Sequence, residues 1–117
     1  GTAILAFGGM LGTALAAGEK LDATVANMRF VKPLDRDLIL ELARTHAAVV
    51  SLEENAETGG VGAEISRLIH AAGLPTRVLV MGLPDHFIDH GDQQRLLASV
   101  GLDAAGVIAA IEGLSPQ

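Results

Sequence analysis

The sequence predicts an α/β protein: a three-layer α/β/α sandwich around a mostly parallel sheet of four or five strands. Four short apolar runs alternate along the chain with segments whose apolar residues recur at helical spacing. The connections between these runs are too long for hairpins, which favours right-handed βαβ crossovers. The third run, Ala47–Leu52, is almost uninterrupted, as expected for a strand buried on both faces of a parallel sheet.

The first strand–helix–strand unit is predicted near the amino terminus. A strand over Thr2–Phe7 ends at two consecutive glycines, and a second strand covers Thr24–Met28. The segment between them carries apolar residues at the spacing of a helix. These residues are Leu11, Ala14, Leu15, Ala17 and Leu21.

Two further helices are predicted on either side of the third strand. Pro33 prevents a helix from starting before it. Asp35 can then cap a helix that runs roughly from Arg36 to Thr45. After the third strand, a helix is expected from about Gly60 to Ala72, ended by Gly73 in the C′ position. The chain therefore continues the alternation of strand and helix.

The last part of the chain is predicted to contain one strand, one long loop and two helices. The strand covers Arg77–Met81, and the loop covers Gly82–Gly91. The helices are expected near Asp92–Val100 and Ala104–Glu112. The loop is polar and irregular, so it is a candidate for function or for an interface.

Length and composition predict a single domain over residues 1–117, with an aliphatic core. The net charge of -6, without clustered basic residues, argues against nucleic acid and anionic membrane as partners. The absence of cysteine excludes thiol chemistry and fits a cytoplasmic location. Because the chain starts at Gly1, already inside a predicted strand, we expect a fragment of a longer polypeptide.

A glycine-rich turn after the first strand is similar to a dinucleotide-binding fingerprint but lacks two of its features. Phe7 stands where the first glycine is needed, and the second strand ends in Asn27-Met28 without an acidic residue for a ribose. We therefore expect Gly8, Gly9 and Gly12 to serve a tight turn and close helix packing.

Paired carboxylates follow the third strand, at the edge where parallel sheets place their sites. Glu53, Glu54 and Glu57 offer acid/base groups, but adjacent residues on a strand point to opposite faces. Helix capping and contact with another domain or subunit are therefore preferred to catalysis. A weaker hypothesis is a free-standing enzyme that uses Glu53 or Glu54 as its catalytic group.

The segment from Asp85 to Asp92 is rich in possible metal ligands. His86 and His90 would face each other if the segment were helical, although Pro84 and Gly91 argue against a regular helix. The competing interpretation is loop organisation, with Asp92 as the N-cap of the following helix. Both interpretations stay open at this point.

Five segments, taken in order, carry a resemblance to a known family. They are NMRFVKPLD at 27–35, EENA at 53–56, GGVG at 59–62, GLPDHFIDHG at 82–91 and GLDAAGV at 101–107. The chain resembles the C-terminal domain of 1-deoxy-D-xylulose-5-phosphate synthase, a member of the transketolase superfamily. The match covers nearly the whole chain and implies the transketolase C-terminal domain-like fold.

The resemblance implies a homodimeric three-domain enzyme that condenses pyruvate with glyceraldehyde 3-phosphate for isoprenoid precursor biosynthesis. It also implies that thiamine diphosphate and magnesium are held by the other domains, so no catalytic, cofactor-binding or metal-binding residue is assigned to this chain. We expect a structural and dimer-contact domain that is inactive alone and that self-associates when its partner domains are missing. The expected inter-domain or dimer contacts are Glu53, Glu54, Gly59, Gly60, His86 and His90.

The main alternative is an independent regulatory domain. In this hypothesis, the chain holds a small anion or a metal at the Gly59-Gly60 turn and the segment from His86 to Asp92.

Overall fold

The computed structural model describes residues 1–28, 34–53, 61–82 and 103–114. Within these ranges the chain forms four strands, four α-helices and one short 3-10 helix. The strands are β1 (Thr2–Phe7), β2 (Thr24–Met28), β3 (Ala48–Glu53) and β4 (Arg77–Gly82). The helices are α1 (Leu11–Leu21), α2 (Arg36–Thr45), α3 (Val61–Ala71) and α4 (Ala104–Glu112).

The four strands form one parallel sheet in the order β2-β1-β3-β4. At the end of the central strand β1, Phe7 is paired with Met28 on one side and Glu53 on the other. Glu53 is in turn paired with Gly82 of β4. All four carboxyl ends therefore lie at the same edge of the sheet, and all four amino ends at the opposite edge.

Helices cover both faces of the sheet and bury two separate cores. On one face, β1 residues such as Leu5 and Phe7 pack with apolar residues of α2 and α3. On the other face, residues such as Ile4 and Ala6 pack with α1 and α4. The alternation of side chains along β1 explains why one strand supplies both cores. The predicted α/β/α sandwich with a parallel sheet is confirmed.

Most element boundaries agree with the sequence prediction to within one residue. The difference that matters most for the candidate site is at β3. This strand continues through Glu53, whereas the sequence predicted that it ends at Leu52. Glu53 is paired on both sides, and Gly82 beside it has no side chain, so the carboxylate can be accommodated inside the ladder. The predicted helix Asp92–Val100 lies outside the described residues, as does most of the predicted loop Gly82–Gly91.

Local signals explain where the helices begin and end. The Asp35 carboxylate accepts a hydrogen bond from the backbone N–H of Leu38 at 3.1 Å, which confirms it as the cap of α2. Asp103 caps α4 in the same way, through the N–H of Gly106 at 2.9 Å. After α3, Gly73 adopts a φ of 72°, a left-handed conformation that suits glycine and confirms its predicted C′ role.

The turn between β1 and α1 is a short 3-10 segment from Gly8 to Met10. Gly8 has a φ of 65°, so the predicted need for glycine in a tight turn is confirmed there. At Gly12, an added Cβ would meet no atom within 4 Å in the part of the chain that the structure describes. A close approach is found instead at Gly18, where a Cβ would lie 2.6 Å from Val25 Cγ2.

No helix in the described ranges is both long and apolar enough to cross a membrane.

Candidate functional site

The carboxyl edge of the sheet is the candidate site, because the ends of all four strands meet there. Phe7, Met28, Glu53 and Gly82 are the last residues of the strands. The helix α3 begins at Val61, near this edge, and its first backbone N–H groups lack partners within the helix. Such an arrangement can receive an anion or a partner surface.

Glu53 is the one predicted contact residue that the structure describes. Its side chain lies on the face of β3 that carries Val49, and the residue is only 6% exposed. Gly82 makes room for it: a Cβ at Gly82 would lie 3.0 Å from Glu53 Cγ and 3.4 Å from the Glu53 carbonyl oxygen. Glu53 is thus held within the edge of the sheet and presents little of its own surface to solvent.

The other five predicted contact residues lie outside the described residues. They are Glu54, Gly59, Gly60, His86 and His90. In the sequence, Gly60 directly precedes Val61, the first residue of α3. The contact roles of all six residues remain predictions.

Ser51 lies two residues before Glu53, on the same face of β3. It is fully buried, and its hydroxyl finds no hydrogen-bond partner among the described residues. Its ladder neighbours are Leu5 and Val80, which offer only apolar side chains. Among the described residues, Ser51 therefore has neither the adjacent base nor the exposure that a nucleophilic serine needs.

The turn after β1 does not reproduce the geometry of a dinucleotide site. Phe7, which replaces the first glycine of the fingerprint, is completely buried in the core beneath α2 and α3. A large side chain at this position anchors the end of β1 instead of leaving room for a pyrophosphate. The interpretation of the glycines as turn residues is therefore favoured.

Metal-binding residues do not come together in the described part of the chain. No group of three or more His, Asp or Glu side chains there is placed to hold an ion. His46 lies at the end of α2, and His70 lies in the last turn of α3. The segment from Asp85 to Asp92 lies outside the described residues.

A cleft of about 620 Å³ lies at the opposite, amino edge of the sheet. Sequence reasoning missed it, because its lining comes from segments that are far apart in the chain. It includes the first residues of β1, β3 and β4, together with the ends of α2 and α4. Only the strand order brings these segments together, and no local motif signals that order.

The family comparison agrees with this fold. A family model described as "Transketolase, C-terminal domain" matches residues 2–107. Among curated relatives, the 1-deoxy-D-xylulose-5-phosphate synthase of Azoarcus sp. (strain BH72) is 62% identical over 115 residues, which is 98% of this chain. The synthase of Dechloromonas aromatica (strain RCB) is 60% identical over 116 residues.

The chain spans only about a fifth of these relatives, 19% of the length of each. Among solved structures, one titled "Split gene transketolase, inactive beta4 tetramer" is similar with a TM-score of 0.81 and 35% identity. That match covers 95% of this chain and 38% of the other. With its sheet, its helical layers and nearly its whole length matched, the chain belongs to the transketolase C-terminal domain family.

Proposed function

We propose that this chain is the C-terminal structural and dimer-contact domain of a thiamine-diphosphate-dependent 1-deoxy-D-xylulose-5-phosphate synthase. In this proposal, residues 1–117 form one domain of a longer cytoplasmic enzyme that condenses pyruvate with glyceraldehyde 3-phosphate. The remaining domains hold thiamine diphosphate and magnesium, and the enzyme is a homodimer. The isolated chain has no activity of its own.

The observation that carries this proposal is the high identity to synthases along almost the entire chain. At 62% identity over 98% of the chain, the fold and the surfaces that contact other domains are expected to be shared. Because the relatives are about five times longer, the residues that perform the chemistry are expected in the other four fifths.

The described residues also support a non-catalytic role. Glu53 is almost fully buried in the sheet edge, and Ser51 is enclosed by apolar neighbours. Neither is placed to reach a substrate without the chain opening. An acid/base mechanism that uses Glu53 alone would need an exposed carboxylate within hydrogen-bond reach of its substrate.

The similar solved structure supports inactivity and self-association. It is a split gene transketolase in an inactive beta4 tetramer. We infer that the present chain also associates with its own copies when the remaining domains of the synthase are missing. Apolar surface that the missing domains would cover provides the driving force.

The first test measures cofactor binding and activity of the 117-residue chain. Calorimetry with thiamine diphosphate and magnesium is expected to give no binding heat, and pyruvate with glyceraldehyde 3-phosphate is expected to give no product. Adding the remaining part of the synthase as a separate chain should restore activity. Tight cofactor binding by the 117-residue chain alone would overturn the proposal.

A second test addresses the contact residues in the reconstituted enzyme. His86→Ala and His90→Ala are expected to weaken assembly between the two chains, as measured by sedimentation. His70→Ala is the matched control, because His70 is an exposed residue in the last turn of α3, at the helix end away from the carboxyl edge. Equal assembly of all three variants would contradict the contact role.

Zinc titration separates the regulatory alternative from this proposal. Saturable zinc binding that is lost in both His86→Ala and His90→Ala would favour an independent metal-binding domain.

A further inference from the structure

The amino-edge cleft has the composition of a small-molecule site. Its volume of about 620 Å³ lies within the range of roughly 300–1,000 Å³ that is usual for ligand pockets. Ala43, Ala48, Ile111 and Leu114 contribute apolar lining. A binding site of this kind needs, in addition, a few polar groups that fix the orientation of the ligand.

Every ionisable side chain that lines the described cleft is basic. These side chains belong to Arg44, His46 and Arg77, and no described lining residue is acidic. The whole chain has a net charge of -6, so a wall with this composition is opposite in sign to the rest of the molecule. Local positive charge of this kind attracts anions.

Both guanidinium groups are available for a ligand. Arg44 and Arg77 are exposed, and neither forms an ion pair or a side-chain hydrogen bond with any described residue. By contrast, Arg67 on α3 is paired with Glu64. Arginine presents several N–H donors in a planar fork that matches carboxylate and phosphate oxygens.

Arginines near helix ends often serve the helix itself, by facing its last carbonyl groups. At the end of α2, the side chains of His46, Thr45 and Thr76 already face backbone carbonyl groups. The Leu42 carbonyl accepts from His46 Nδ1 at 2.8 Å, and the Ala43 carbonyl accepts from the Thr76 hydroxyl at 2.6 Å. The Thr45 hydroxyl also donates to the Glu41 carbonyl at 3.0 Å. These carbonyls therefore do not need the guanidinium groups.

We propose that the amino-edge cleft binds a small organic anion, with Arg44 and Arg77 on its phosphate or carboxylate and the apolar lining on its hydrocarbon part. His46 takes no direct part, because its two ring nitrogens are already engaged by the Leu42 carbonyl and the Thr24 hydroxyl. The cleft lies at the opposite edge of the sheet from Glu53, and none of the proposed domain contacts is among its described lining residues, so this inference is independent of the proposed function.

The test uses hexyl phosphate and hexanoate as probes and hexanol as the uncharged comparison, with the 117-residue chain. Saturable binding of an anionic probe is expected, and hexanol should bind at least about tenfold more weakly. Arg44→Ala and Arg77→Ala should each reduce affinity about tenfold. Ala47→Glu, which adds a carboxylate to the exposed lining, should abolish binding.

Two controls make the result decisive. Arg67→Ala removes an arginine outside the cleft and should leave affinity unchanged, and the urea midpoint of each variant verifies that it is folded. The same chain acetylated at Gly1 should still bind. The proposal is overturned if neither anion binds at millimolar concentration, if hexanol binds equally well, if Arg67→Ala weakens binding as much as the cleft variants, or if acetylation abolishes it.

Discussion

Gly62 and Val80 form the closest approach between α3 and the sheet. A Cβ at position 62 would lie 3.2 Å from Val80 Cβ and closer still to both of the valine methyl carbons. Rotation of the valine side chain can move its methyl groups but cannot move its Cβ, so the crowding cannot be relieved completely. This single contact determines how closely the first turn of α3 lies on the edge strand β4.

We therefore expect Gly62→Ala to destabilise the protein. Alanine favours the helix by up to about 1 kcal/mol, but crowding against Val80 costs about 1–3 kcal/mol. Urea unfolding measures the balance. Gly12→Ala in α1 is the control, since its Cβ would meet no described atom within 4 Å, and it should stabilise by about 0.5–1 kcal/mol. A stabilised Gly62→Ala variant would contradict the close contact.

Replacing Ser51 by alanine is expected to stabilise the protein. The Ser51 hydroxyl is buried and has no hydrogen-bond partner in the described structure. Ser51→Ala removes a hydroxyl that lost its water on folding, so we expect a gain of about 1 kcal/mol in the free energy of unfolding. Thr76→Val is the control: it removes a hydroxyl that donates to the Ala43 carbonyl, and it should cost about 1 kcal/mol. Loss of stability in Ser51→Ala would indicate an unrecognised hydrogen bond.

At the level of elements, the sequence was most informative where a local rule determines the outcome. The caps at Asp35 and Asp103 and the left-handed Gly73 act within three or four residues, so the helix ends beside them could be predicted. The inclusion of Glu53 in β3 could not, because it depends on Gly82, which is 29 residues away in sequence and adjacent only in the folded ladder.

The cap of α2 can be tested separately from the rest of the fold. Asp35→Ala removes the hydrogen bond to the Leu38 N–H and should destabilise by about 1 kcal/mol. Asp35→Asn should retain most of the stability, since asparagine caps nearly as well. Thermal unfolding of the two variants measures the difference. Equal losses would mean that the negative charge near the helix start matters more than the cap.

In the functional regions too, features that depend on residues distant in sequence could not be predicted from local patterns. The carboxyl edge was predicted from strand alternation alone, because parallel strands always end together. The amino-edge cleft was not, since Arg44 and Arg77 become neighbours of one cavity only through the order β2-β1-β3-β4. No pattern in either arginine's own segment indicates the other.

At the level of the whole molecule, stability should be highest in the middle of the sheet. β3 is buried along its entire length and β1 almost so, whereas β2 and β4 are partly exposed. We expect hydrogen exchange of β1 and β3 amides to require global unfolding, and β4 amides to exchange by smaller openings. Amide exchange followed by mass spectrometry or NMR measures this. Equal protection of β4 would indicate that a second copy or another segment covers that edge.

Gly1 and Leu114 both line the amino-edge cleft, so the described chain enters and leaves the fold at the same edge. Domains whose ends lie close together tolerate circular permutation and transfer into other proteins, because their ends can be joined or reattached without disturbing the core. A short linker between the present ends, with new ends opened at the exposed Ala72-Gly73 turn, would keep every strand of the sheet in register. Both new ends would then lie at the amino edge of the sheet, so a protein fused to them would leave the carboxyl edge uncovered.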